Sequence, residues 1–135
     1  MEDKLFNRVV HFEIHAAEPE RAAKFYTDVF GWTIKKWDSD EMEYWLVMTG
    51  PENAPGGING GIMRRKGDAP KTSDAVNGYV CSILVEDIDS TIKKLKTAGG
   101  VVSIPKYDLA GVGMMAYFKD TEGNTFGIWQ ETKKK

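Results

Sequence analysis

One order of predicted elements occurs twice along this 135-residue chain, and that internal repeat constrains the fold more than any other feature. Glu18 precedes a first predicted helix that ends at Gly31, and Asp87 precedes a second that ends at Gly99-Gly100. Positions 18 and 87 are 69 residues apart, and so are positions 31 and 100. A repeat of this kind predicts two modules with the same arrangement of strands and helix, even though few residues are identical.

The first copy predicts a strand, a helix and three further strands. From Val9 to His15, apolar and polar residues alternate, which is typical of a strand with one buried face. Apolar residues at helical spacing follow between Ala22 and Phe30, and Pro19 suits the first helical turn. The later segments, each bounded by turn-forming residues, are Trp32–Trp37, Tyr44–Met48 and about Ile58–Arg64.

The second copy begins after a polar stretch at residues 66–77, which is the best candidate for a linker. An apolar strand is predicted at Tyr79–Val85, and Asp87 is a suitable N-cap for a helix near residues 88–98. Three more strands are predicted, at Val101–Ile104, Met114–Phe118 and Thr125–Gln130.

Two tandem β-α-β-β-β modules predict a single α+β domain over residues 1–135. Module one covers about residues 5–66, and module two covers about residues 77–132. We expect the helices on the outer face of the strands, whose other faces form an open β cup. Such a cup is a natural cavity for a small organic ligand.

Charge and composition argue against several other classes of partner. The 18 basic and 20 acidic residues give a net charge of -2, which creates no field that would attract nucleic acid or an anionic membrane. No stretch approaches the roughly 20 apolar residues of a transmembrane helix, and the N-terminal residues do not resemble a secretory signal. The single cysteine, Cys81, excludes an internal disulfide, so we expect a cytoplasmic protein with this thiol buried in a strand.

Three segments resemble the vicinal oxygen chelate superfamily, which includes glyoxalase I, bleomycin-resistance proteins and extradiol dioxygenases. They are VVHFEIHAAEPERAAKFYTDVFGW at residues 9–32, VEDIDSTIKKLKTAGG at residues 85–100 and AYFKDTEGNTFGIWQ at residues 116–130. The resemblance covers nearly the whole chain, and it implies the same tandem fold and a ligand-binding cup. It also implies a homodimer, which fits the exposed strand edges that an open cup leaves.

Metal-dependent members of that superfamily take one ligand from the first and last strands of each module, usually His or Gln, Glu or His, His, and Glu. The resemblance puts these four positions at His11, near Ile58, at Val80 and at Gly127. Only His11 among them has a side chain that can bind a divalent metal ion. The superfamily's metal centre is therefore not expected in this chain.

A shift of the alignment by one or two residues does not supply the missing ligands. Residues 53–67 and residues 124–130 contain no Asp, Glu, His or Cys. A different metal site could use His11, Glu13 and His15, but side chains two residues apart on a strand stand roughly 6.5 to 7 Å apart. We therefore expect neither a metal nor another cofactor.

Three polar residues are candidate ligand-binding residues. His11 lies opposite the apolar face of its strand, and its imidazole offers a donor and an acceptor near neutral pH. Glu13 shares that face and is a candidate base, and Asn59 lies in a glycine-rich segment that exposes backbone. The alternative for His11 and Glu13 is a purely structural hydrogen bond or ion pair.

Two tryptophans complete the candidate site. Trp45 and Trp129 lie in predicted strands, where their rings could line a cup and stack on a planar or apolar ligand. The alternative for both residues is ordinary packing in the hydrophobic core.

These observations lead to a glyoxalase/bleomycin-resistance-like protein that binds a small organic molecule without a catalytic metal. The sequence is compatible both with a pure binding protein and with a metal-independent enzyme. One alternative is a metal-dependent lyase, isomerase or dioxygenase of the same superfamily. Another is a non-catalytic interaction module whose cup is filled by its own side chains.

Overall fold

The computed structural model describes residues 6–40, 42–71, 74–76 and 78–132, which divide into two compact units, Met1–Lys66 and Gly67–Lys135. Both units have the element order β-α-β-β-β and a four-stranded mixed sheet. The predicted α+β class with tandem βαβββ modules is confirmed. The chain ends and residues 72, 73 and 77 of the predicted linker lie outside the described residues.

Unit 1 consists of β1 (His11–Ala16), α1 (Pro19–Phe30), β2 (Thr33–Lys36), β3 (Trp45–Met48) and β4 (Asn59–Arg64). The strand order is β1-β4-β3-β2, with β1 parallel to β4 and the other pairs antiparallel. The edge strand β1 begins two residues later than its alternating pattern predicts, and Val9 and Val10 are exposed.

The helix α1 packs on one side of this sheet through its buried residues. Tyr26 stacks on Trp32 with ring centroids 4.8 Å apart, and Trp32 in turn contacts Phe12 of β1. Strand pairing places Ile14 opposite Ile62, so both residues lie on the same side as Phe12. Ile62 is fully buried there, and the hydrophobic core of unit 1 therefore lies between α1 and this side of the sheet.

The opposite side of the unit 1 sheet is called the open face below. It carries the alternate residues of each strand, namely His11, Glu13, His15, Thr33, Lys35, Leu46, Met48, Asn59, Gly61 and Met63. Leu46 and Met48 are each 44% exposed, so this face presents apolar as well as polar side chains to solvent.

Unit 2 consists of β5 (Ser82–Leu84), α2 (Ile88–Thr97), β6 (Val101–Asp108), β7 (Gly113–Lys119) and β8 (Thr125–Glu131), in the strand order β5-β8-β7-β6. The predicted N-cap is observed, since the Asp87 carboxylate accepts a hydrogen bond from the Ser90 amide at 3.1 Å. Strand β6 runs to Asp108, four residues beyond the predicted end, with register shifts that accommodate the extra length.

The start of the second module differs from the sequence prediction. The strand predicted from Tyr79 begins only at Ser82, and Tyr79 is fully exposed. Cys81 is exposed rather than buried, because it adjoins the short edge strand β5, in which Ser82 and Leu84 are exposed as well. No helix among the described residues is long and apolar enough to cross a membrane.

Candidate functional site

Four side chains of unit 1 form a continuous hydrogen-bonded chain on the open face. His11 Nε2 lies 2.8 Å from the hydroxyl of Tyr44, and that hydroxyl donates to Glu13 Oε2 at 3.3 Å. The other carboxylate oxygen, Glu13 Oε1, lies 2.8 Å from His15 Nε2. The structure thus joins two predicted ligand-binding residues, His11 and Glu13, through a tyrosine that sequence reasoning did not select.

Strand geometry explains why these residues meet. His11, Glu13 and His15 alternate along β1, so they share one side of the sheet. Tyr44 directly precedes β3 and lies across Gly61 of β4, where a Cβ atom would overlap its hydroxyl group. A glycine inside a strand often marks such a close approach, and Gly61 was the signal in the sequence that could have pointed to Tyr44.

Tyr44 is the buried member of the chain, with only 8% of its surface exposed. Burial raises the pKa of the Tyr44 hydroxyl, and the charge of Glu13 and its hydrogen bond raise it further. The phenol therefore keeps its proton at neutral pH and can act as a donor to Glu13. The side chains of Glu13 and His15 are 40% and 49% exposed, so the contact between them contributes little stability.

Asn59 lies beside His11, because the two residues are partners in the parallel β1–β4 pairing. Its side-chain oxygen accepts a hydrogen bond from the Thr49 amide at 2.9 Å, while the Thr49 hydroxyl donates to the Ile58 carbonyl. These bonds close the neck of the loop at residues 49–58, which together with Asn59 lines an open groove of about 330 Å³. The side-chain NH2 group of Asn59 has no hydrogen-bond partner among the described residues.

Trp45 lies on the other side of the unit 1 sheet from His11 and Glu13. It pairs with the fully buried Ile62, is only 5% exposed, and has Lys36 Nζ 5.3 Å from the centre of its ring. Trp45 therefore has the placement of a core residue on the side where α1 packs, which favours ordinary core packing over ligand binding.

Trp129 belongs to unit 2 and lies on the side of that sheet away from α2. Its neighbour Gln130 points to the helix side, since its side-chain oxygen accepts a hydrogen bond from the Ile88 amide at the start of α2. The indole nitrogen of Trp129 is buried against Gly113 and, within the described part of the chain, has no hydrogen-bond partner.

The residues at the superfamily's metal positions do not fit a metal centre. Strand pairing moves the unit 1 position from near Ile58 to Gly61. Gly127 pairs with Ser82, and Gly61 pairs with Glu13, which lies 69 residues before Ser82. A side chain at Gly127 would meet Met115 Cε at 2.5 Å, just as one at Gly61 would overlap Tyr44. Both positions therefore lack a donor and are covered by a neighbouring side chain.

His11, the remaining superfamily position with a suitable side chain, uses its Nε2 atom in the bond to Tyr44. Among the described residues, no group of three or more His, Cys, Asp or Glu side chains converges closely enough to hold a metal ion.

The fold, together with the sequence segments at residues 9–32, 85–100 and 116–130, defines the class of protein to which this chain belongs. A sequence profile of the Glyoxalase/Bleomycin resistance protein/Dioxygenase superfamily matches residues 8–128. The chain is 32% identical over 131 residues to a "Glyoxylase-like domain-containing protein" of Didymella fabae, covering 92% of this chain and 94% of that protein. The chain belongs to this superfamily, as its sequence segments indicated.

More distant relatives are longer proteins. The chain is 25% identical over 122 residues to the "Putative glyoxylase CFP32" of Mycobacterium tuberculosis, covering 90% of this chain and 44% of that protein. It is also 25% identical over 129 residues to the "Anthracycline biosynthesis protein DnrV" of Streptomyces peucetius, covering 89% of this chain and 46% of that protein. The chain thus spans less than half the length of each.

Solved structures share the fold at low sequence identity. A glyoxylase/bleomycin resistance protein/dioxygenase domain from Frankia sp. EAN1pec superposes with a TM-score of 0.71 at 17% identity, covering 96% of both chains. The fosfomycin resistance protein FosX from Listeria monocytogenes, in a complex with Mn(II), superposes with a TM-score of 0.70 at 15% identity, covering 94% of this chain and 92% of that one. At these identities the likeness shows the fold alone.

Proposed function

We propose that this protein binds a small organic molecule on the open face of unit 1, without a catalytic metal. The observation that carries the proposal is the His11–Tyr44–Glu13–His15 chain, which orients the exposed His11 imidazole beside Asn59. The side-chain NH2 group of Asn59 has no hydrogen-bond partner among the described residues. Binding sites usually combine a few oriented polar groups of this kind with apolar surface.

The apolar part of the proposed site is provided by β3. Leu46 pairs with Gly61 and therefore lies on the same side as Glu13, and Met48 follows it on that side. Methionine side chains adapt to ligands of different shape. We therefore expect a partly apolar ligand that covers Leu46 and Met48 and forms hydrogen bonds with His11 and Asn59.

The name of one similar protein agrees with a partly apolar ligand. DnrV is an anthracycline biosynthesis protein, and anthracyclines are polycyclic aromatic molecules. Trp129 remains a proposed ligand residue of unit 2, whereas the burial of Trp45 favours a packing role.

The proposal of a metal-free site rests on the side chains that stand at the superfamily's metal-ligand positions. The superfamily positions Val80 and Gly127 carry no metal-binding side chain, and Gly61 and Gly127 are covered by Tyr44 and Met115. A metal ion needs several converging ligands to bind tightly, and His11 alone does not supply them.

A thermal-shift screen of small metabolites and planar aromatic antibiotics tests the proposal. A ligand present at 100 times its Kd stabilises the folded state by about 2.7 kcal/mol and raises the melting temperature. The affinity of a hit should fall by about tenfold in His11→Ala, a loss of about 1.4 kcal/mol. Lys93→Ala, at an exposed position of α2, is the matched control and should bind like the wild type.

Two outcomes would contradict the proposal. If no compound in a broad library raised the melting temperature, the interaction-module alternative would be favoured. If a hit bound equally well to the wild type and to His11→Ala, the ligand site would lie away from the open face of unit 1.

A further inference from the structure

We propose that Lys119 and Thr125 form an anion-binding site in unit 2, and that its ligand is the carboxylate group of a small organic acid. The site is separate from the open face of unit 1, and it goes beyond the function proposed for that face. It also differs from the superfamily's metal position Gly127, which pairs with Tyr117 rather than with Lys119.

Lys119 is a buried cation without an acidic partner. Only 7% of its surface is exposed, and its Nζ atom donates a single hydrogen bond, to Thr125 Oγ1 at 2.8 Å. In the described part of the chain, no carboxylate forms an ion pair with this ammonium group. Lysine is rarely buried to this extent unless its charge is paired. Because an ammonium group has three N–H donors, two of them are left for another acceptor.

Strand pairing brings the two side chains of the site together. Lys119 of β7 and Thr125 of β8 are cross-strand partners on the side of the sheet away from α2, where Trp129 also lies. Thr125 Oγ1 accepts the bond from Lys119, so its own proton is available, and no acceptor for it is found over the ranges described. Thr125 is half-buried, and a ligand can therefore approach the ammonium group past its hydroxyl.

The acidic residues of the adjoining turn are engaged in bonds within that turn. Asp120 Oδ1 accepts hydrogen bonds from the amides of Glu122 and Asn124, and Asp120 Oδ2 accepts one from Asn124 Nδ2. Glu122 Oε2 accepts one from the Thr121 hydroxyl. Both carboxylates thus stabilise the turn, and neither of them is bonded to the ammonium group of Lys119.

The available donors define the chemistry of the ligand. Two N–H groups of Lys119 and the hydroxyl of Thr125 can donate to one small anion, and a carboxylate accepts through both of its oxygens. Hydrogen bonds between an ammonium group and a carboxylate are stronger than those between neutral groups. On the other side of Lys119, its partner on β6 is Val101, which is 51% exposed. We therefore expect an organic acid whose apolar part covers Val101.

The stability of Lys119→Met separates this role from a structural one. The substitution removes the charge and keeps an unbranched side chain. A buried ammonium group without an ion-pair partner loses hydration that one hydrogen bond does not replace, so the variant should be at least as stable as the wild type in urea. A folded Lys119→Met protein with a clearly lower urea midpoint would show that the ammonium group holds the fold together, and the proposal would then be wrong.

Benzoate is the probe for binding, and benzyl alcohol has the same ring without the charge. Calorimetric titration at low ionic strength measures both compounds. The wild type should bind benzoate about tenfold more tightly than benzyl alcohol, and Lys119→Met should bind benzoate about tenfold more weakly than the wild type. Thr125→Val replaces the hydroxyl with a methyl group and should also weaken binding. Lys93→Met, at an exposed position of α2, is the matched control and should bind like the wild type.

The location of the bound probe is measured by NMR. Benzoate should shift the backbone amide signals of Thr125 and Val101 in the wild type and leave them unchanged in Lys119→Met. It should also raise the melting temperature of the wild type, because it binds the folded state alone.

Three results would overturn this inference. They are no binding of benzoate to the wild type, equal affinity of the wild type and Lys119→Met for benzoate, and equal affinity of the wild type for benzoate and benzyl alcohol. Neither Lys119→Met nor Thr125→Val alters a side chain of the open face of unit 1. Failure of the anion site would therefore leave the proposed function of that face to its own test.

Discussion

Tyr44 and Gly61 are in such close contact that the absence of a side chain at Gly61 is what lets the Tyr44 hydroxyl reach the open face. From this position the hydroxyl bonds to His11, which lies 33 residues away in the sequence. Gly61 thus determines that the Tyr44 hydroxyl lies beside the His11 imidazole, although Gly61 itself has no side chain with which to contact His11.

Gly61→Ala should destabilise unit 1 and separate Tyr44 from His11. The added methyl group would overlap the phenol ring, and overpacking of this kind costs about 1 to 3 kcal/mol. Urea denaturation measures the change. Gly50→Ala is the matched control, because a Cβ at Gly50 meets no atom within 4 Å, and its effect should stay within about 0.5 kcal/mol. Equal stability of the two variants would contradict the contact.

The ionisation of Tyr44 should occur above the ordinary tyrosine pKa of 10.0, since burial and then the charge of Glu13 oppose the phenolate. Ultraviolet absorbance measures phenolate formation, and the wild-type curve minus the Tyr44→Phe curve isolates this residue. The subtraction is needed because burial and Tyr117 also raise the pKa of Tyr107. Glu13→Gln should reduce the shift only in part, as burial is its largest cause.

The same shift predicts how stability depends on pH. Tyr44 has a higher pKa folded than unfolded, so its contribution to stability is complete below the unfolded pKa and is lost as pH rises through the folded pKa. Denaturation at several alkaline pH values should therefore show a shallower loss of stability in Tyr44→Phe than in the wild type. Parallel curves would show that Tyr44 does not titrate differently in the two states.

Purified protein should contain well under one equivalent of Zn, Ni, Mn or Fe per chain after mild dialysis. The matched positions provide His11 but only Val80, Gly127 and Gly61 elsewhere, which offer no side-chain ligand. Elemental analysis measures the content, and a chelator should leave the melting temperature unchanged because no metal contributes to folding. Stoichiometric metal that is lost together with stability would support the metal-dependent alternative.

A homodimer remains a prediction, and the sheet edges support it. The outer strands β1 and β5 have unpaired edges in their own sheets, and exposed apolar residues adjoin them, including Val10 and Leu84. An unpaired strand edge offers backbone N–H and C=O groups with which a strand of another chain can pair. Light scattering at micromolar concentration should give twice the chain mass of 15.1 kDa. A mass of one chain would contradict this prediction.

The cytoplasmic location is a separate prediction, which microscopy of the tagged protein in cells would test.

The internal repeat and its periodicity were sufficient to predict most of the fold. A 69-residue offset, helical spacing in two segments and alternation in β1 depend on local geometry, which each segment carries by itself. The shared side of His11 and Glu13 followed from alternation along one strand. The sequence alone also shows that Val80 and Gly127 carry no metal-binding side chain, because the residue type at a position is known without a structure.

Tertiary structure decided which residues from different strands meet. Alternation divides a strand into two sides, but only pairing with its neighbours assigns each side to the helix or to solvent. For that reason Trp45 lies on the side where α1 packs, and Tyr44, one residue earlier, reaches the face of His11. The register between strands depends on contacts over more than thirty residues, and no local pattern in the sequence encodes it.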